Sequence, residues 1–415
     1  MPMDPAAERR ATRLFCISIG TYFMGGFLVS LVSLLVPRLK LLMGLDYVRA
    51  SLVQLAFHSS YLLFALPITA LLVAIGYMRG IALGLAVMVI GCLGFIVAAG
   101  AANYPAVLLG LLTLAGGITF LQIAGNIVIA LAEPDHRAIS RMTMLQGFNS
   151  IGTVLAPLVG ASFLLTDAST THTESGWVTL TLPFIASAAV LAVLAVAFAH
   201  QRNLLDGLPA PRRVPLAKLG RVLADRRLMA GTVAMFGYVG AEVTIGSLLA
   251  NYLVRPDILG VSVVTAGRLV SLYWAGAMVG RFAGAILLAR WRPPRVLAGV
   301  ALGAALLVLV AMGASGLTGA VALIAVGLCN AIMYPTLFAL SLPEDETAAP
   351  YASMALCMAV VGGAVVPVMT AAIADAEGLR ASFGLSVICY LGIALFGLAC
   401  ASVWKRRQVV VVAAV

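Results

Sequence analysis

Twelve apolar stretches, each long enough to cross a lipid bilayer as a helix, constrain this chain more than any other feature. The hydrocarbon core is roughly 30 Å thick, so a helix that spans it needs about 20 apolar residues. Six stretches precede a central polar segment and six follow it, at 12–35, 51–75, 80–99, 104–131, 141–166, 176–200, 228–253, 264–290, 295–313, 317–342, 350–374 and 379–404. Only 10% of the residues are charged, against about 25% in soluble proteins. The sequence predicts an all-α membrane protein with twelve transmembrane helices.

The lysines and arginines predict how these helices are oriented. Twelve helices place both termini on the same side of the membrane. If that side is the cytoplasm, 19 of the 26 basic residues fall in cytoplasmic segments, six fall on the opposite side, and Arg281 remains inside a helix. Cytoplasmic segments carry an excess of lysine and arginine, so we predict cytoplasmic termini. The formal charge of +10 then reflects topology and contact with anionic membrane lipid, and it does not indicate nucleic-acid binding.

A polar segment near the middle of the chain indicates two halves. Residues 200–227 contain three prolines and the largest basic cluster. We therefore predict an N-terminal six-helix bundle at 1–200, a cytoplasmic linker at 201–227 and a C-terminal six-helix bundle at 228–415. A glycine and a proline five residues apart occur in both the fifth and the eleventh helix, as Gly152 with Pro157 and Gly362 with Pro367. This similarity favours two parallel repeats.

Amide side chains inside apolar helices are the candidates for binding a polar solute. In the fifth helix Gln146, Asn149 and Thr153 recur at i, i+3 and i+7 and share one face. Further amides lie in the second, fourth and tenth helices, and the eighth offers an aromatic ring: Gln54, Gln122, Asn126, Asn330 and Trp274. A buried hydroxyl left unpaired costs about 1 to 3 kcal/mol, so these groups suit a small neutral sugar or polyol. Amides also join helices to each other, and that alternative stays open.

Two charged residues inside the predicted spans are candidates for ion coupling and gating. Glu242 is the one acidic residue near the centre of a span, in the seventh helix. A charge there is costly unless it is protonated, partnered or in contact with a water-filled cavity. Arg281, in the cytoplasmic part of the eighth helix, could pair across a gate or extend towards the lipid headgroups. His58 in the second helix could be a packing histidine or a proton relay.

No motif in the sequence indicates catalysis. There is no P-loop, no GxSxG and no group of cysteines and histidines with metal-ligand spacing. We therefore predict that the protein is not an enzyme, needs no cofactor or metal, and moves its substrate with ion or solute gradients.

Four separated motifs resemble one family of transporters. They are LQIAGNIVIALAEPDHRAISRMTMLQGFNSIGT at 121–153, GYVGAEVTIGSLLANYL at 237–253, VSLYWAGAMVGRFAG at 270–284 and CNAIMYPTLFAL at 329–340. In this order they resemble the fucose/galactose/glucose:proton symporter family of the major facilitator superfamily. The chain is more similar to the glucose/galactose branch, because Gln122 stands where fucose symporters have glutamate.

The resemblance implies a fold of two six-helix bundles with pseudo-two-fold symmetry, in a multi-pass protein of the bacterial inner membrane. It implies a monomer that binds a hexose through Gln146 and Asn149 and moves it by alternating access together with a proton. In the family a Leu-Asn-Asp motif of the first helix supplies the expected proton carrier, but this chain has Leu31, Val32 and Ser33 there. A serine does not titrate usefully, so we predict that coupling to a proton, or to sodium, rests on Glu242. An uncoupled sugar facilitator, an exporter of amphipathic compounds and a non-transporting membrane sensor remain the alternatives.

Overall fold

The chain is helical in a computed structural model that describes residues 5–45, 47–133, 135–164, 174–205, 220, 224–343 and 348–413. Within these ranges every regular element is a helix. Ten helices are long and apolar enough to cross a membrane, and the bent pair Leu55–Leu63 and Ala65–Ile75 raises this to as many as eleven within the same ranges. The predicted all-α membrane architecture is confirmed.

We number the twelve predicted membrane-crossing segments as spans 1 to 12, and we give the bounds of their helices as the structure has them. Spans 1 to 6 are Pro5–Leu42, Tyr47–Leu63 with Ala65–Ile75, Tyr77–Gly100, Tyr104–Ala132, Asp135–Leu164 and Glu174–His200. Spans 7 to 9 are Arg226–Val254, Val263–Arg290 and Pro293–Gly313. Span 10 is Gly316–Asn330 with Met333–Ser341; span 11 is Ala349–Met358, a 3₁₀ turn at Ala359–Val361 and Gly362–Glu377; and span 12 is Leu379–Ser382 with Gly384–Ala413.

Several spans extend beyond the apolar stretches that predict them. Span 1 starts at Pro5 and ends at Leu42, whereas hydropathy predicts 12–35. Hydropathy detects the part of a helix that lies in lipid, and the backbone hydrogen bonds continue into polar flanks. Span 7 begins where Asp225 caps it, because the Asp225 carboxylate accepts a hydrogen bond of 2.8 Å from the backbone N–H of Leu228.

Packing divides the chain into two units. Unit 1 consists of Met1–Glu133, Phe148–Leu216 and Asp345–Met358, and unit 2 of Pro134–Gly147, Ala217–Glu344 and Ala359–Val415. The first part of span 5 therefore packs within unit 2, and the first part of span 11 packs within unit 1. The predicted boundaries at 200 and 228 stay a prediction, and most of the predicted linker, 206–219 and 221–223, lies outside the described residues.

The glycines that repeat between the halves make the same contact in each unit. In unit 1 a Cβ on Gly152 of span 5 would overlap the carbonyl oxygen of Phe23 in span 1. In unit 2 a Cβ on Gly362 of span 11 would overlap the carbonyl oxygen of Phe236 in span 7. Both helix pairs thus cross at backbone contact, as small residues allow in membrane helices.

Candidate functional site

Polar side chains of four spans are joined in unit 1. The Tyr22 hydroxyl of span 1 donates a hydrogen bond of 2.6 Å to Oδ1 of Asn126 in span 4. Nδ2 of Asn149 in span 5 donates to the carbonyl oxygen of Tyr22 at 2.9 Å. The side chain of Gln122 in span 4 shares a hydrogen bond with the Tyr61 hydroxyl of span 2. We call these five residues the amide cluster.

The members of the amide cluster differ in how much capacity they have for a solute. Asn126 is 1% exposed and uses both polar atoms, since its Nδ2 donates to the backbone oxygen of Gln122 at 3.2 Å. Gln122 and Asn149 are half-buried. In the described part of the chain, the side chain of Asn149 makes one hydrogen bond, through Nδ2, so its Oδ1 can accept another. The geometry favours Gln122 and Asn149 as contacts and Asn126 as the residue that holds Tyr22.

The predicted polar face of span 5 packs in two different units. Asn149 and Thr153 belong to unit 1, whereas Gln146 belongs to unit 2 and is buried. The Thr153 hydroxyl donates to the Asn149 carbonyl at 3.1 Å, so its own helix satisfies it. The backbone carbonyl oxygen of Gln146 accepts a hydrogen bond of 3.1 Å from Nη1 of Arg281 in span 8. Arg281 is thus a partner of span 5 rather than a side chain that only extends towards lipid headgroups.

Glu242 in span 7 is the acidic centre of unit 2. Its carboxylate hydrogen bonds with the hydroxyl of Tyr238, one helical turn earlier, and is attracted by the charge of Arg281. Its backbone oxygen accepts a hydrogen bond of 3.1 Å from the Tyr273 hydroxyl of span 8. Among the described residues, no hydrogen-bond donor reaches the buried Oε1 atom of Glu242. The side chain is therefore partnered, as its place in a span requires, and keeps one acceptor for a further ligand.

Asn330 and Trp274 both contact Tyr273. Asn330 is fully buried at the break in span 10; its Nδ2 donates to the Tyr273 hydroxyl at 2.8 Å, and its Oδ1 accepts from the Tyr390 hydroxyl at 2.9 Å. The Trp274 ring is 37% exposed, packs edge-on against Tyr273 and lies over Gly246, where a Cβ would be 2.8 Å from the ring. The geometry favours a positioning role for Asn330, while the indole of Trp274, which packs over Gly246 one turn after Glu242 on span 7, remains accessible.

Three residues singled out in the sequence have side chains outside the described part of the structure. They are Ser33 in span 1 and Gln54 and His58 in span 2. Sequence reasoning overlooked the tyrosines that hold the amides in place, Tyr22, Tyr61, Tyr273 and Tyr390. The available signal was their position inside apolar helices, because a buried tyrosine hydroxyl needs a hydrogen-bond partner.

Comparisons with known proteins agree with this architecture. Residues 18–342 match the family described as Major Facilitator Superfamily. The chain is 37% identical to a glucose/galactose transporter of Brucella abortus over 379 aligned residues. The alignment covers 91% of each chain. It is 28% identical to the L-fucose-proton symporter of Escherichia coli K12 over 95% of this chain and 94% of that one. The solved structure of the E. coli fucose:proton symporter FucP superposes with a TM-score of 0.83 at 25% identity, over 93% of this chain and 98% of that chain. The chain belongs to the major facilitator superfamily.

Proposed function

We propose that this protein is a secondary active transporter that carries a small neutral hexose across the bacterial inner membrane by alternating access. Its superfamily consists of transporters and not of enzymes, and the relatives named above are transporters of glucose, galactose or fucose. The observation that carries the proposal is the amide cluster of unit 1. It offers the half-buried amides of Gln122 and Asn149, held by hydrogen bonds to neighbouring spans, to the hydroxyls of a sugar.

Each candidate site residue has a defined role in this proposal. Gln122 and Asn149 of unit 1 bind hydroxyl groups, and Gln146 and the accessible ring of Trp274 keep their predicted roles as further contacts with the sugar. Asn126 and Asn330 position tyrosines, because both polar atoms of each amide are already bonded. Gln54 keeps its predicted role as a further contact.

Counterflow exchange tests the substrate class. Purified protein in liposomes, loaded with glucose, is expected to take up labelled glucose, and galactose or fucose should compete while amphipathic cations do not. Competition by amphipathic compounds alone would favour the exporter. Saturable sugar binding without any exchange would favour the membrane sensor.

We further propose that Glu242 binds the coupling ion, a proton or else sodium. Coupling needs a group whose occupancy changes during the transport cycle, and Glu242 is a partnered carboxylate with an available acceptor atom inside a span. Sugar added to lightly buffered vesicles should raise the external pH for the wild type and not for Glu242→Gln. Glu377→Gln, at an exposed carboxylate near the end of span 11, is the matched control. Alkalinisation by Glu242→Gln that equals alkalinisation by the wild type would exclude Glu242 as the proton site.

An uncoupled facilitator is the second candidate, because Ser33 replaces the family's first-helix carboxylate. Sugar exchange that leaves the external pH unchanged and does not depend on sodium would favour it.

We also infer that the transporter is a monomer with both termini in the cytoplasm. A fluorescent reporter fused after Val415 should fold and fluoresce, whereas a periplasmic phosphatase fused there should be inactive.

A further inference from the structure

The indole ring of Trp274 in span 8 lies against span 7 at a glycine. Its Cζ2 atom would lie 2.8 Å from a Cβ at Gly246, and its Cε2 and Cη2 atoms would lie 3.5 Å from it. Carbon atoms pack best about 3.5 to 4.0 Å apart. The ring therefore occupies space that any larger residue at position 246 needs, and alanine there would displace it by about 1 Å.

Tyr273 blocks movement of the indole ring in one direction. The rings of Tyr273 and Trp274 meet edge-on, at 82° and with their centroids 5.1 Å apart. Tyr273 is fully buried; its hydroxyl donates to the backbone oxygen of Glu242 at 3.1 Å and accepts from Nδ2 of Asn330 at 2.8 Å. Because close packing and two hydrogen bonds hold Tyr273 in place, a displaced indole moves towards its exposed side.

The exposed side of the ring lies on the polar face of span 8. Leu272, Val279 and Ile286 recur every seven residues, are 52%, 57% and 61% exposed, and form an apolar stripe typical of a surface in contact with lipid. Trp274 follows Leu272 by two residues, which places it about 160° away around the helix. Arg281, seven residues after Trp274, shares its face. The accessible part of the indole therefore faces away from lipid, where a polar solute can reach it.

We propose that Gly246 is a specificity-determining residue, which sets how far the Trp274 ring projects from span 7 and thereby how bulky a sugar is accepted. With glycine at this position, the ring lies close to span 7 and leaves room for the hydroxymethyl group of a hexose. A larger side chain moves the ring outward, and the sugar loses that room. The inference deepens the proposed function and rests on it, because it takes Trp274 as a contact of the sugar.

Quenching of Trp274 fluorescence by acrylamide tests the placement of the ring without any sugar. The other three tryptophans are first replaced by phenylalanine: Trp177, Trp291 and Trp404. In this monodisperse protein Gly246→Ala should raise the quenching constant and shift the emission to longer wavelength, because the ring moves towards water. An unchanged quenching constant would overturn the inference.

Gly237→Ala is the matched control on the same helix. A Cβ at Gly237 would meet its nearest neighbour, Cβ of Cys389, at an ordinary contact distance of 3.4 Å. This variant should change neither the quenching constant nor the emission wavelength, and it should leave the preference among sugars at the wild-type value.

Competition between a hexose and a pentose tests the effect on the sugar. Xylose has the ring of glucose without the hydroxymethyl group, and the inhibition constants of both sugars are measured in counterflow exchange of labelled glucose. In Gly246→Ala the constant for glucose should rise about 10-fold more than that for xylose, since one carbon-sized group in a pocket is worth about 10 to 200-fold. In a Trp274→Phe background the same alanine should change the ratio little, because the smaller ring leaves position 246 open.

The outcomes separate this inference from the proposed function. A wild-type ratio of the two constants in Gly246→Ala would overturn the inference, and so would an equal change of the ratio in the Trp274→Phe background. If Gly246→Ala exchanges too little glucose to measure, labelled xylose takes its place, and exchange of neither sugar by the folded variant would also overturn the inference. Failure of the wild type to exchange any sugar would contradict the proposed function instead.

Discussion

At the scale of single residues, buried asparagines of this protein are matched with tyrosine hydroxyls. Asn126 accepts from Tyr22, and Asn330 lies between Tyr273 and Tyr390. The sequence alone predicts that amides lie inside the spans, because apolar periodicity makes polar residues conspicuous. It does not predict which amides are already satisfied, since that depends on side chains from distant spans. The structure therefore separates positioning amides from those with capacity for a solute.

Asn149→Ala should weaken sugar transport. The variant loses a half-buried amide that we propose as a sugar contact, so KM should rise about 5 to 150-fold, corresponding to about 1 to 3 kcal/mol. Thr153→Val is the matched control on the same helix face, because the Thr153 hydroxyl is bonded to its own helix. Concentration-dependent uptake measures both. An unchanged KM in Asn149→Ala, with only a lower melting temperature, would assign Asn149 to helix packing.

Asn330→Ala should lower stability more than affinity. The change removes the partner of two buried tyrosine hydroxyls, at a cost of about 1 to 4 kcal/mol if each bond resembles those in other membrane helices or buried sites. The melting temperature of the detergent-solubilised protein measures this. Leu328→Ala, at an exposed position of the same span, should change it little. A normal melting temperature together with lost sugar binding would make Asn330 a direct contact.

At the scale of elements, each of the two repeated helix crossings has a glycine on both of its helices. In unit 1 Gly26 of span 1 faces Thr153 of span 5, whose hydroxyl would lie 2.8 Å from a Cβ on the glycine. In unit 2 Gly240 of span 7 faces span 11 in the same way, where a Cβ would lie 3.1 Å from the carbonyl oxygen of Gly362. The repeat visible in the sequence thus marks a helix crossing that occurs within each unit, even though the contacting residues differ.

Gly152→Ala and Gly362→Ala should each destabilise the protein. A Cβ at either position overlaps a backbone carbonyl of the partner span, which cannot rotate away as a side chain does, so overpacking should cost about 1 to 3 kcal/mol or more. The control is Gly392→Ala in span 12, where a Cβ meets nothing within 4 Å. Alanine there should stabilise the helix by about 0.5 to 1 kcal/mol. Equal melting temperatures for all three variants would contradict the close crossings.

A charged cluster joins the loops at one end of unit 2. The Asp257 carboxylate, between spans 7 and 8, accepts hydrogen bonds of 2.9 and 3.2 Å from the Arg255 guanidinium. It also lies 3.0 Å from Nη2 of Arg380 in span 12. Its backbone oxygen accepts from the N–H of Gly316 at 3.0 Å. The hydrogen bond from Arg255 holds the pKa of Asp257 below its ordinary value. The cluster therefore ties three connections of unit 2 together while Asp257 is charged.

Asp257→Asn should lower the melting temperature slightly at neutral pH. Because the folded protein lowers the pKa of Asp257, its stabilising effect is present above the ordinary aspartate pKa of about 3.9 and is lost as the pH falls through the lowered value. The difference between wild type and variant should therefore shrink below about pH 4. Asp375→Asn, at an exposed position of span 11, is the control. A difference that persists in acid would show that the charge of Asp257 is not responsible.

The breaks within the spans illustrate what hydropathy cannot predict. Span 2 bends by 51° between its two helices, and span 10 is interrupted after Asn330. Both breaks lie inside continuous apolar stretches, and each is followed by a proline, Pro67 or Pro335, which lacks the N–H that a continuous helix needs. A hydropathy average does not register this backbone effect, and at Asn330 the side chain also bonds to two neighbouring spans.

At the scale of the whole molecule, units defined by packing differ from halves defined by sequence. The sequence predicts a division at the polar segment 200–227, whereas packing assigns the first parts of spans 5 and 11 to the opposite unit from the rest of those spans. A helix is continuous in sequence, but its packing partners change along its length. This division places Gln146 and Asn149 in different units, and no periodicity in the sequence could reveal it.

Accumulation of sugar in proteoliposomes tests the central claim, that this transporter couples a hexose to an ion through Glu242. With an inward proton gradient of one pH unit and one proton per sugar, the wild type should concentrate the sugar up to about 10-fold, since about 1.4 kcal/mol is available per proton. Glu242→Gln should exchange sugar but reach only equal concentrations inside and outside. Accumulation by Glu242→Gln at the wild-type level, under proton or sodium gradients, would contradict the account.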